Sequence, residues 1–167
     1  MDISGSMDNG YPKKRIDLAK EAAKQIIQRL TIGDFFTVIT YSTGATNLVN
    51  SAFGNKSMIR ATAENIATIV QEIDNIQHMG GTNTIAAFEE AYQALQTAST
   101  NEYTSNCNTA VLFLTDGEMD DCSAGSAPPG CTESGLLEQL RSAVTDLTNQ
   151  HASTIFTYSL GESADTR

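Results

Sequence analysis

The sequence predicts an α/β fold: a doubly wound, mostly parallel sheet with helices on both faces. Three observations predict it. Apolar residues recur at helical spacing in four segments, short β-branched or aromatic runs fall between those segments, and two of the runs, F-F-T-V-I-T-Y at 35–41 and A-V-L-F-L at 110–114, have almost no polar face. Strands that are apolar on both sides need cover on both sides, and helices alternating with strands supply it, through crossovers expected to be right-handed. The 167 residues fit a single domain, 1–167, long enough to bury roughly 70% of its unfolded surface.

The first helix is expected over residues 15–30, where Ile16, Ala19, Ala23, Ile26, Ile27 and Leu30 share one stripe and Lys20, Glu21, Lys24, Gln25 and Arg29 lie off it. Gly33 and Asp34 stop the helix and turn the chain into the strand at 35–41. Ser42, Thr43 and Gly44 signal a turn, and residues 45–49 fold back as a short hairpin strand. A second helix is expected over 57–73 through Ile59, Ala63, Ile66, Val70 and Ile73. A third covers 84–97 through Ile85, Phe88, Ala91, Tyr92 and Leu95, and a fourth covers 136–147 through Leu136, Leu140, Val144 and Leu147. The last strand runs over 153–160, and Gly161 ends it. Tyr41, Phe88 and Tyr92 are assigned to the core, His78 and His151 to the surface.

The opening is anomalous. In such a frame the first helix follows an apolar strand, and only Met1 and Ile3 are apolar there. The missing strand belongs in mid-sheet, and the segment ends just after another strand, so truncation at the first strand and the last helix is expected. A gap in mid-sheet leaves buried backbone groups unpaired at roughly 1–3 kcal/mol each. The segment alone is therefore expected to be unstable or to aggregate; a soluble monomer that melts cooperatively would contradict this.

Composition narrows the functions. A net charge of -10 opposes nucleic acid and anionic membranes and favours cations and basic surfaces. No apolar run is long enough to span a bilayer, so direct membrane insertion by this segment is not expected. Cys107, Cys122 and Cys131 are odd in number. Cys122 and Cys131 flank the loop C-S-A-G-S-A-P-P-G-C, where a disulfide and free thiols are both open readings. Cys107 is then either buried and free or paired outside the segment. Neither histidine has a cysteine or histidine near it at zinc-ligand spacing. Asn55-Lys56-Ser57 has the pattern of an N-glycosylation acceptor.

The chemistry-bearing residues lie in three loops. Asp2, Ser4 and Ser6 alternate in D-I-S-G-S, which sets all three side chains on one side of a turned backbone, and Gly5 lets that backbone bend closely. Gly80 and Gly81 free a second loop to present Thr82, and Asp116 follows the strand at 110–114 in L-T-D-G. In a doubly wound sheet, loops at the ends of neighbouring strands meet at the topological switch point. Each motif alone has an ordinary reading as a helix cap or a turn; the three together, in this order on a parallel frame, point to one site. Glu118, Asp120 and Asp121 read as a solvated acidic loop.

Two carboxylates and three hydroxyls offer only oxygen. That donor set suits a hard divalent cation: Mg²⁺ first, near-octahedral with retained water, then Mn²⁺, with Ca²⁺ a weaker candidate because it takes more ligands. Asp116 is assigned to act through water. So few formal charges leave the ion electrophilic, and the acidic side chain of a protein ligand would complete its coordination. No catalytic residue is expected. An aspartyl-phosphate enzyme would want a second acid where Ser4 stands, and serine chemistry would want a histidine within reach.

At Asp2, Ser4, Ser6, Thr82 and Asp116 the chain resembles the von Willebrand factor type A domain family and its metal-ion-dependent adhesion site, D-x-S-x-S followed by a threonine and then an aspartate. The resemblance implies direct contacts from both serines, acids acting directly or through water, and a ligand's acidic side chain on the ion. A narrower resemblance, carried by G-D-F-F-T-V-I-T-Y-S, G-G-T-N-T, C-N-T-A-V-L-F-L-T-D-G and I-F-T-Y-S-L-G, is to the alpha-2-delta subunits of voltage-gated calcium channels. It implies an extracellular or cell-surface place, with membrane attachment through parts outside this segment. The competing expectation is an intracellular module that recruits partners to a chelatase or ATPase assembly.

Overall fold

The computed structural model describes residues 1–101, 108–117 and 132–160. After a 3-10 turn at Gly5–Asp8, its elements are α1 Arg15–Ile27, β1 Phe35–Phe36, β2 Ile39–Tyr41, β3 Ala45–Asn47, α2 Leu48–Phe53, β4 Ile59–Arg60, α3 Ala63–Asn75, α4 Thr84–Thr100, β5 Thr109–Thr115, α5 Glu133–His151 and β6 Ser153–Ser159. Cys107, Cys122, Cys131, Glu118, Asp120, Asp121 and Gly161 lie outside the described residues.

Residues 1–3 run between β2 and β5. The Tyr41 amide donates to Met1 O at 3.1 Å, the Ile3 amide to Tyr41 O at 2.9 Å, and the Asp2 amide to Leu114 O at 2.8 Å. The strands pair as three two-stranded sheets, β1 with β4, β2 with β3 and β5 with β6, and residues 1–3 link two of them in the order β3, β2, residues 1–3, β5, β6. Pairing in that row is antiparallel at the β2–β3 hairpin and parallel at the Asp2–Tyr41 bridge and along β5–β6. Neighbouring residues of β5 point to opposite faces. Leu114 joins Ile16, Val49, Ile69 and Ile73 from α1, α2 and α3, while Phe113 joins Ala87, Phe88 and Leu147 from α4 and α5. Helices therefore cover both faces at the end of β5, while Phe156 and Tyr158 of β6 stay exposed; each fully buried Ile or Leu contributes roughly 1.5–3 kcal/mol. On the β5 side of α4, Phe113 stacks on Tyr41 and Phe88, with ring centroids 5.3 and 5.0 Å apart.

Several boundaries differ from the sequence expectation. The strand expected at 35–41 breaks at Thr37 and Val38, because Phe35–Phe36 pairs with Ile59–Arg60 and Ile39–Tyr41 pairs with Ala45–Asn47. The helix expected from residue 57 starts at Ala63. Ile59 is committed to β4, and the Thr62 hydroxyl caps the new start by accepting from the Asn65 amide at 3.2 Å. Residues 48–53 form a helix that periodicity did not reveal, seeded by Asn47, whose carbonyl oxygen accepts from the amides of Val49 and Asn50. His151 is half-buried rather than on the surface, edge-on to Tyr92 with centroids 5.1 Å apart. His78 is also only partly exposed and meets Asp8 at 3.0 Å.

Away from the loop end of the sheet, between β2 and the first half of β5, lies a half-open pocket of about 610 Å³. Met1, Ile27, Val38, Leu95 and Val111 line it. Asn55 is exposed in a turn at φ 52°.

Candidate metal centre

Where the chain leaves the sheet, Asp2 Oδ1 accepts the Ser4 amide at 2.8 Å. This side-chain turn ends the extended segment, as aspartates do when they bond backbone two residues on. The 3-10 turn follows, closed by Met7 N to Ser4 O at 3.1 Å and pinned by the fully buried Met7 side chain. The result sets the Ser4 and Ser6 hydroxyl oxygens 3.0 Å apart, with Asp2 and Ser4 shielded from solvent.

The Gly80–Gly81 loop is fastened to this turn from two sides. Met79 N donates to Ile3 O at 2.7 Å and Gly5 N to Gly80 O at 3.0 Å. From the β2–β3 hairpin, the Thr43 hydroxyl accepts the Gly81 amide at 3.1 Å and Ser42 O accepts the Asn83 amide at 2.6 Å. Gly80 sits at φ +73°, and a Cβ there would lie 2.6 Å from Thr43 Oγ1, so glycine is required. Asn83 then caps α4 through the Ala86 amide at 3.0 Å, leaving Thr82 buried between cap and glycines.

Asp116 arrives at the end of β5, also buried. Arg15 Nη1 donates to its Oδ2 at 2.8 Å and lies 3.5 Å from Ser6 O. Asp2 Oδ2 in turn accepts from Thr115 Oγ1 at 2.9 Å and from the Tyr41 hydroxyl at 3.2 Å. Burial, and then the Asp2 carboxylate, push the Tyr41 hydroxyl far above the usual phenol range, so it stays a donor. The structure therefore brings the three predicted segments together through backbone and side-chain bonds.

Sequence reasoning missed Arg15, Tyr41 and Thr115. Tyr41 reads as core and Thr115 as a turn residue, and nothing in their spacing separates those roles from a donor role. Arg15 did carry a signal. Lys13, Lys14 and Arg15 crowd the start of α1, the end where the helix dipole disfavours cations. Each has an acid: Glu21 at 2.7 Å, Asp8 at 2.5 Å and Asp116 at 2.8 Å. The first two pairs are exposed, and the Arg15 pair is buried.

The donors fit a small hard cation. Among the described residues there is no group of three or more His, Cys, Asp or Glu that could hold a metal, so an ion here must draw on hydroxyls as well as the two carboxylates. Adjacent ligands in an octahedron with metal–oxygen distances of about 2.0–2.1 Å stand about 3 Å apart. The serine oxygens, hydrogen-bonded to each other, already stand 3.0 Å apart.

The pattern described as the von Willebrand factor type A domain matches residues 1–118, the stretch that holds Asp2, Ser4, Ser6, Thr82 and Asp116. The chain belongs to this family. Inter-alpha-trypsin inhibitor heavy chain H4 of Homo sapiens is 30% identical over 139 residues, 83% of this chain and 14% of that protein. Voltage-dependent calcium channel subunit alpha-2/delta-3 of Rattus norvegicus is 28% identical over 120 residues, 72% of this chain and 10% of that protein. The chain thus spans only 10–14% of these relatives' lengths. Among solved structures, a von Willebrand factor type A from Catenulispora acidiphila matches 96% of this chain and 32% of its own, with a TM-score of 0.70 and 26% identity. The manganese-loaded TRAP protein of Plasmodium vivax matches 97% of this chain and 55% of its own, with a TM-score of 0.62 and 15% identity, a likeness of fold. The von Willebrand factor A frame accounts for the helix-covered parallel sheet. No helix among the described residues is long and apolar enough to cross a membrane.

Proposed function

We propose that this von Willebrand factor A domain is a divalent-cation-dependent protein-binding module. Asp2, Ser4, Ser6, Thr82 and Asp116 are the residues that would hold Mg²⁺ or Mn²⁺. The observation that carries the reading is the 3.0 Å spacing of the Ser4 and Ser6 hydroxyl oxygens beside two buried carboxylates, in loops already fastened to one another. A bound cation supplies a positive centre to which an acidic side chain of a partner protein can bind. The chain's own residues do the rest. The Ser4 amide, Tyr41 and Thr115 orient Asp2, Arg15 holds Asp116, and the glycine loop carries Thr82. Similarity to the alpha-2/delta-3 subunit supports an extracellular, membrane-associated parent protein.

Calorimetric titration of Mg²⁺ and Mn²⁺ into the complete protein, beside Asp2→Ala, tests this reading. Saturable binding that the substitution abolishes is the expected result. Unchanged binding in Asp2→Ala, or none in the wild type, sinks it.

A further inference from the structure

The Arg15–Asp116 pair is unlike the other ion pairs of α1. Its side chains are 10% and 0% exposed, whereas those of Lys13–Glu21 are 54% and 49% exposed. Arg15 is the first residue of α1, and its guanidinium reaches across to the Asp116 carboxylate at 2.8 Å. The same Nη1 lies 3.5 Å from Ser6 O, which puts the charge against the first loop as well as the third.

We propose that Arg15 is a built-in counter-cation of the metal centre, a positioning residue that lowers its resting affinity for a divalent ion and biases the ion-loaded site toward a carboxylate ligand. This rests on the reading of Asp2 and Asp116 as a cation site. Two buried carboxylates with no cation would repel each other in a medium that screens poorly. Arg15 removes that penalty and holds Asp116 in place before any ion arrives. The same charge opposes the ion's entry. Arg15 makes the loaded centre one charge more positive than a neutral residue at this position would, and a partner's carboxylate answers that charge. Ion and acidic ligand then favour each other's binding.

The test is calorimetric titration of Mn²⁺ into the complete protein as wild type, Arg15→Gln, Arg15→Met and Arg15→Lys, with Asp2→Ala as the blank. Loss of the charge is expected to raise Mn²⁺ affinity by at least about fivefold while lowering the melting temperature of the ion-free protein. Arg15→Lys, which restores the charge, should bring the affinity back toward wild type. A purely structural role for Arg15 would instead weaken ion binding. Unchanged or weaker binding in the neutral variants, with the wild type binding normally, overturns this proposal alone; no binding by the wild type overturns it together with the proposed function. Arg15→Met keeps the buried stem and serves if Arg15→Gln does not fold.

Discussion

Tyr41 donates its hydroxyl to Asp2 Oδ2 at 3.2 Å, across the same parallel bridge that joins their backbones. One residue thereby fixes another twice, by main chain and by side chain. Tyr41→Phe keeps the ring stack on Phe113 and deletes only the donor. Stability is expected to fall by about 1–2 kcal/mol, with a weaker grip on Mg²⁺. Thr115→Val removes the other donor to the same oxygen, at 2.9 Å. Because both donors serve one oxygen, the double variant is expected to depart from additivity, and a double-mutant cycle on unfolding free energies checks it.

Gly80→Ala meets a hard wall. The new methyl would lie 2.6 Å from Thr43 Oγ1 at a backbone angle of +73° that side chains disfavour. A loss of about 1–3 kcal/mol is expected, together with displacement of Thr82 and a drop in cation affinity. Gly44→Ala, where an added Cβ meets nothing within 4 Å, is the control and should leave both measurements near wild type.

Asn47 organises the far end of the β2–β3 hairpin. Its carbonyl oxygen accepts from Thr37 Oγ1, Val49 N and Asn50 N, and its amide group donates to Ser57 O at 3.0 Å. Asn47→Ala is expected to cost about 2–3 kcal/mol, with cation affinity per folded molecule unchanged. Denaturant unfolding reads the first and calorimetry the second.

Asp34 gives the domain an acid-sensitive turn. The Thr31 amide and hydroxyl donate to its Oδ2 at 2.7 and 2.9 Å, and these bonds hold its carboxyl below the ordinary value of 3.8. A folded pKa below the unfolded one means the contribution is fully present above the unfolded value and is lost as pH falls through the folded one. The stability gap between wild type and Asp34→Asn is therefore expected to narrow as the pH falls past the ordinary carboxyl value of 3.8 and below it. A gap constant across that window would contradict the assignment.

The alternation of apolar runs with amphipathic stripes made the sheet and its two helical layers legible, because residues 111–114, apolar on both sides, are buried or half-buried between those layers. The three loops that carry Asp2, Ser4, Ser6, Thr82 and Asp116 stood out because their residue types are unusual together. Short-range competition hid the rest. Ile59 fits a helical stripe as well as a strand, and only the pairing of Ile59–Arg60 with Phe35–Phe36 decides between them. Asn47 starts a helix of six residues, too short for any period to show. Tyr41 and Thr115 act on Asp2 from 39 and 113 positions away, and local pattern carries no such information. Arg15 was visible as a cation at the wrong end of a helix, but its acid lies 101 positions on.

The placement of residues 1–3 also has a mechanical consequence. They are bonded to β2 on one side and to β5 on the other, and Asp2, Ser4 and Ser6 follow with no slack between. Tension applied at the amino end would run along the strand axis and load those bonds in shear, all at once, rather than peeling them singly. The first side chain to feel it would be Asp2. In a domain tethered from that side, traction on the tether and occupancy of the loops would bear on the same few atoms.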